Sequence, residues 1–68
     1  DLACERVSQT VSVAIDGVNY DVGVKVASAG GDVYDVSAEY DDALAVAREA
    51  GVPVREVMRR AEELARER

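Results

Sequence analysis

The 68-residue sequence has no histidine, no phenylalanine and no tryptophan, and only one cysteine, one proline and one lysine. Without histidine, the chain cannot build the usual zinc sites, or a Ser-His-Asp or Cys-His catalytic set, from its own residues. Cys4 stands alone, so an internal disulfide and a thiolate metal cage are both excluded. No apolar run approaches the ~20 residues of a membrane-spanning helix, and no signal peptide is visible. A cytoplasmic, reduced setting is therefore the default expectation. With Phe and Trp missing, Val and Ala must fill the core, which favours a thin sheet packed on helices. The chain begins at Asp1 without a methionine. The expectation is one α+β domain over residues 1–68, forming the C-terminal fragment of a longer protein. A domain of this size has a marginal core and often leans on a partner.

Hydrophobic residues make up 49% of the chain, too many for a disordered tail. Fourteen acids against eight bases give a net charge of −6, which argues against general affinity for nucleic acid phosphates.

Val7 to Ile15 alternates, with Val7, Val11, Val13 and Ile15 on one side and Gln9 as the exception. Asp16-Gly17 is a dipeptide preferred by a two-residue type I′ turn, and a second strand follows from Val18 to Ala27. The turn fixes the register: Ile15 opposite Val18, Val13 opposite Tyr20, Val11 opposite Val22 and Val7 opposite Val26. Gly30-Gly31 marks a second turn, and Val33 to Val36 is a short third strand. Ser37 has the chemistry of an N-cap for a helix whose first turn holds Glu39, Asp41 and Asp42. Its buried face is expected at Tyr40, Ala43, Leu44 and Ala47. Gly51 ends that helix, and Pro53 opens a second as its first residue. Val54, Val57, Met58, Ala61, Leu64 and Ala65 form the second apolar stripe. The predicted architecture is α+β: a three-stranded antiparallel meander followed by two helices packed on one face, β-β-β-α-α.

Three groups of residues carry possible chemistry, each beside a plainer reading. The segment AREAGVPVREV has the spacing of a DNA-binding helix-turn-helix, with Arg55, Arg59 and Arg60 on the second helix. The plainer reading is an αα-turn with a salt-bridged face, because Glu56, Glu62 and Glu63 alternate with those arginines. Glu39-Tyr40-Asp41-Asp42 clusters oxygen ligands suited to magnesium or manganese. Acids favoured by a helix start, with Tyr40 in the core, explain the same residues. Lys25, near the free N–H groups of Gly30-Gly31, has the chemistry to hold phosphate. Two adjacent glycines also simply make a hairpin turn.

Three segments, in order, resemble the C-terminal region of LarC-type proteins, which insert nickel into the nickel-pincer nucleotide cofactor. They are Val22-Gly23-Val24-Lys25-Val26, the stretch VYDVSAEYDD from Val33 to Asp42, and AREAGVPVREV from Ala47 to Val57. Ala38 stands where the family often has Pro, Asp41 where it often has Glu, Ala43 where Cys often follows, and Met58 where Tyr is frequent. The resemblance implies CTP-dependent nickel insertion by the full-length protein, with magnesium or manganese accompanying the nucleotide. It further implies that this region binds CTP and assembles into homo-oligomers. The fragment alone would not catalyse insertion. Lys25 would contact nucleotide phosphate, Glu39 and Tyr40 would help hold the nucleotide, and Asp41 and Asp42 would place the divalent ion. A small helix-turn-helix DNA-binding module and a purely structural oligomerisation domain are the rival expectations. Nucleotide is the expected partner, and membrane and nucleic acid are not.

Overall fold

A computed structural model of the chain describes residues 4–67. The strands are β1 (Cys4–Ile15), β2 (Val18–Ala29) and β3 (Asp32–Ala38), followed by helices α1 (Tyr40–Ala50) and α2 (Val54–Arg66). The strands form one antiparallel sheet in the order β1-β2-β3. The chain is therefore α+β, with the predicted element order.

The β1–β2 register pairs Ile15 with Val18, Val13 with Tyr20, Val11 with Val22 and Val7 with Val26, as the turn chemistry requires. Asp16 and Gly17 both take positive φ, 51° and 79°, as a type I′ turn demands. Gly30 and Gly31 do the same between β2 and β3. A bulge between Ala27 and Ser28 shifts the β2–β3 register.

Several boundaries differ from the sequence expectation. Asp1–Ala3 lie outside the described residues. Cys4–Arg6, which show no period of their own, extend β1, because their pairing with Ala27–Ala29 makes the strand. Ser37 is not an N-cap: it and Ala38 remain in β3, paired with Lys25 and Val24. The cap position is Glu39, which makes no side-chain capping bond. Pro53 likewise stands one residue before the helical turn, at the N-cap of α2 (φ −64°, ψ 144°). Gly51 does end α1 in the left-handed region (φ 73°), and its N–H donates to the Ala47 carbonyl at 2.9 Å.

The core is built almost wholly from Val and Ala. Val11, Val13, Ile15, Val22, Val24 and Val36 of the sheet meet Ala43, Val46 and Ala47 of α1, and Val57, Ala61 and Ala65 of α2. The inward face of α1 thus runs through Ala43, Val46, Ala47 and Ala50, not through Tyr40, which is 54% exposed. Leu44 is half-buried.

Twelve-residue strands span about 40 Å, whereas helices of this length span roughly 16–20 Å. The sheet therefore outruns its cover, and the molecule measures 45 × 19 × 14 Å. Val7 and Val33, at the far end, are 51% and 56% exposed. Val22, with no exposed surface, should lose about 2 kcal/mol of stability as Val22→Ala. Val18, half-exposed at the turn, should lose less than about 0.5 kcal/mol as Val18→Ala. Urea denaturation of the two variants checks the contrast.

Candidate functional site

The acidic box lies where β3 becomes α1, and its position follows from a break in the ladder. The Glu39 N–H donates to the Gly23 carbonyl at 2.8 Å, as if β3 continued. The Glu39 carbonyl does not return the bond: it turns into α1 and accepts from the Ala43 N–H at 3.0 Å. The Gly23 N–H is left without a strand partner. Asp42 takes it, accepting at 2.8 Å on Oδ2. A side chain thus replaces a strand carbonyl, and the helix is held against β2.

Gly23 permits this approach because it has no side chain. A Cβ there would lie 2.9 Å from Asp42 Oδ2 and 3.2 Å from Glu39 Cγ. A glycine inside a strand is the sequence signal for such a contact.

Glu39 and Lys25 share the sheet face opposite the helices, their Oε2 and Nζ atoms 3.6 Å apart. Both side chains are well exposed, 43% and 67% respectively, so the pair contributes little to stability. Lys25 also lines a shallow cavity of about 300 Å³ with Arg6, Ala27, Asp35 and Ser37. Arg6 is a second cation in the same hollow, brought there by the pairing of Arg6 with Ala27 and of Ser8 with Lys25. Sequence periodicity alone does not reveal Arg6. Gly30 and Gly31 close the β2–β3 turn, several residues along the strand from Lys25.

The structure therefore brings Lys25, Glu39 and Asp42 together around Gly23. Tyr40 and Asp41, in the first turn of α1, point into solvent. Among the described residues no three acidic or cysteine side chains converge into a metal cage. One Asp42 oxygen and the Glu39 carboxylate already have protein partners. The donors thus do not fit a metal site made by protein alone. A magnesium-like ion carried on phosphates typically takes only one or two carboxylates.

Two of the arginines of α2, Arg59 and Arg60, are engaged within the fold. Glu56 Oε2 accepts from Arg59 at 2.9 Å and from Arg60 Nε at 2.8 Å, and Arg59 also reaches Glu63 at 3.2 Å. Arg60 donates in addition to the Ala14 carbonyl at 2.9 Å. At the opposite edge of the sheet, Glu62 accepts from the Ala38 N–H at 3.0 Å. Bonds from Arg60 and Arg59 hold the Glu56 carboxyl below its usual pKa. Glu56 also holds the Arg59 guanidinium above its own.

The sequence profile of the nickel insertion protein family matches residues 2–58. A "Putative nickel insertion protein" of Methanosarcina mazei is 41% identical over 66 residues, covering 96% of this chain and 17% of that relative. Its counterpart in Methanosarcina acetivorans is 38% identical with the same coverage. One from Methanococcoides burtonii is 40% identical over 62 residues, 90% of this chain and 16% of the relative. The chain thus spans about a sixth of the length of these relatives. No solved structure matches it.

Gly23→Ala should push Asp42 off the strand and cost about 1–2 kcal/mol in denaturant unfolding. Asp42→Asn, which keeps an acceptor, should cost less than Asp42→Ala. Separately, Glu56 has a depressed folded pKa, so its contribution to stability is present above its unfolded pKa and is lost as pH falls through the folded value. Titration of the Glu56 carboxyl by NMR should show the low value, and Arg60→Ala should move it back up.

Proposed function

Because this chain belongs to the nickel insertion protein family, we propose that it serves there as a nucleotide-binding and assembly module, with CTP as its nucleotide. The observation that carries the reading is the hollow on the helix-free face of the sheet. It sets two cations, Arg6 and Lys25, beside the Ser37 hydroxyl on strands held rigid by pairing. Lys25 is only loosely held by Glu39 and is free to turn to a phosphate as a point charge. Arg6 adds a planar, bidentate donor.

The nucleotide would run from this hollow toward the start of α1. Tyr40, exposed there, offers an aromatic face to a base, and Glu39 offers an acceptor to the sugar. Asp41 and the second oxygen of Asp42 would share a magnesium or manganese ion that arrives on the phosphates. The ion would neutralise phosphate charge, which an acidic chain of net charge −6 otherwise repels. Nickel itself is cargo, handled by the remainder of the longer protein, where insertion would take place. No helix in the described residues is long and apolar enough to cross a membrane.

The paired arginines of α2 give no support to a DNA-reading helix, since Arg59 and Arg60 are tied to Glu56, Glu63 and Ala14.

A thermal shift of this chain with manganese and CTP, ATP or GTP tests the proposal. At about 100 times the dissociation constant a ligand stabilises by roughly 2.7 kcal/mol, a rise on the order of 10 °C for a domain of this size. The shift should be greatest with CTP, and should shrink in Lys25→Ala and in Arg6→Ala. An equal shift in both variants would remove the hollow from the site.

A further inference from the structure

We propose that, in the longer protein whose C-terminal part this chain forms, the segment leading into β1 docks as a short amphipathic helix on the bare end of the sheet, beside α2. The docking site is on the face that carries the helices. The nucleotide hollow is on the opposite face, so the proposal stands apart from the nucleotide reading.

The site is a shortfall of cover. β1 and β2 each run twelve residues, and helices of this length leave about 20 Å of such strands without a second layer. Strand pairing sets two rows of side chains at that end. One row holds Val7, Val26 and Val36, and the next holds Glu5, Ser28 and Val33. Val26 and Val36 are buried, whereas Val7 and Val33 are each more than half exposed. The bare valines therefore continue the core instead of forming a separate patch. A sheet face of this kind is stable when a second layer covers it. Gln9 marks where the cover ends. It lies on the helix side of β1 between exposed Val7 and buried Val11, and its Oε1 is buried without a hydrogen-bond partner. The flexible side chain can carry this amide over the bare end, where a donor on the docked helix would meet it.

Two observations choose the occupant. β1 begins at Cys4, paired with Ala29, so a polypeptide leading into β1 arrives at the bare end itself. The chain spans only about a sixth of the length of its relatives, which leaves ample polypeptide to supply the segment. A tethered segment meets the patch at a high effective concentration, an advantage no separate partner has. The layer already on this face is helical, and a helix of about 10–13 residues fills the 20 Å gap. Its chemistry follows from the surface it meets. Apolar side chains one turn apart would cover Val7 and Val33, a hydrogen-bond donor would face Gln9, and a lysine or arginine would stand beside exposed Glu5.

The test is cysteine labelling in the longer protein and in the 68-residue chain, with circular dichroism to check that each variant folds. Val7→Cys and Val33→Cys are treated with N-ethylmaleimide, and peptide mass spectrometry reads the label at the introduced site. Val18→Cys, half-exposed at the opposite end of the sheet, is the control. A helix docked about nine-tenths of the time slows labelling roughly tenfold. We expect that slowing at both test sites in the longer protein, unchanged across roughly 1 to 100 µM because the segment is tethered, with the control reacting equally in both proteins. Gln9→Leu, which keeps the bulk and loses the acceptor, should speed labelling at Val33→Cys in the longer protein alone. Unchanged protection in that variant would remove Gln9 from the contact. Equal rates in the two proteins at Val7→Cys and Val33→Cys would overturn the docking. Protection that grows with concentration would give the patch to a separate chain and overturn the tethered segment.

Discussion

The bond from the Gly23 N–H to the Asp42 carboxylate ties the sheet to the first turn of α1. A strand that turns into a helix must abandon one ladder partner, and the abandoned group then needs another. Asp42 meets that need from the first turn of α1. At that position the carboxylate also faces the favourable end of the helix dipole. One side chain therefore links β2 to the opening turn of α1. The acidic box, the sheet hollow and the exposed Tyr40 all keep their places relative to this contact.

A core of valine and alanine makes that contact matter more. These side chains are short, so helix and sheet must lie close before their surfaces meet, and little apolar area is buried per residue. Glycine at position 23 and alanines at 43, 47, 61 and 65 give the helices room to come near. The same economy leaves the sheet longer than its cover. The resulting radius of gyration, 12.8 Å, exceeds the ~11 Å of a compact chain of this length.

The hairpin was readable because two independent signals agree there: the Asp16-Gly17 turn and the alternation of Val7–Ile15 with Val18–Val26. Gln9, the single break in that alternation, is, among the described residues, the one whose buried side-chain oxygen has no hydrogen-bond partner. Local signals misled where a tertiary partner decided the outcome. Ser37 has the chemistry of a cap, yet pairing with Lys25 keeps it in the strand. Tyr40 fits a helical stripe, but the true stripe is Ala43, Val46, Ala47 and Ala50, its phase set by the valines beneath. Arg6 joins Lys25 only through strand pairing, and Glu62 reaches Ala38 across 24 residues. No window along the chain contains either relation.

The two bonds that α2 sends to the rims of the sheet also bear on the order in which the chain becomes safe. The hairpins close between near neighbours, and such contacts form early. Arg60 reaches Ala14 across 46 residues, and it acts only after α2 has docked. Between those events both rims lie open to other chains. The docking face of α2, Val57 and Ala61, thus sets how long a nascent sheet remains adhesive. A defect there would raise the yield of aggregate as well as lower the melting temperature.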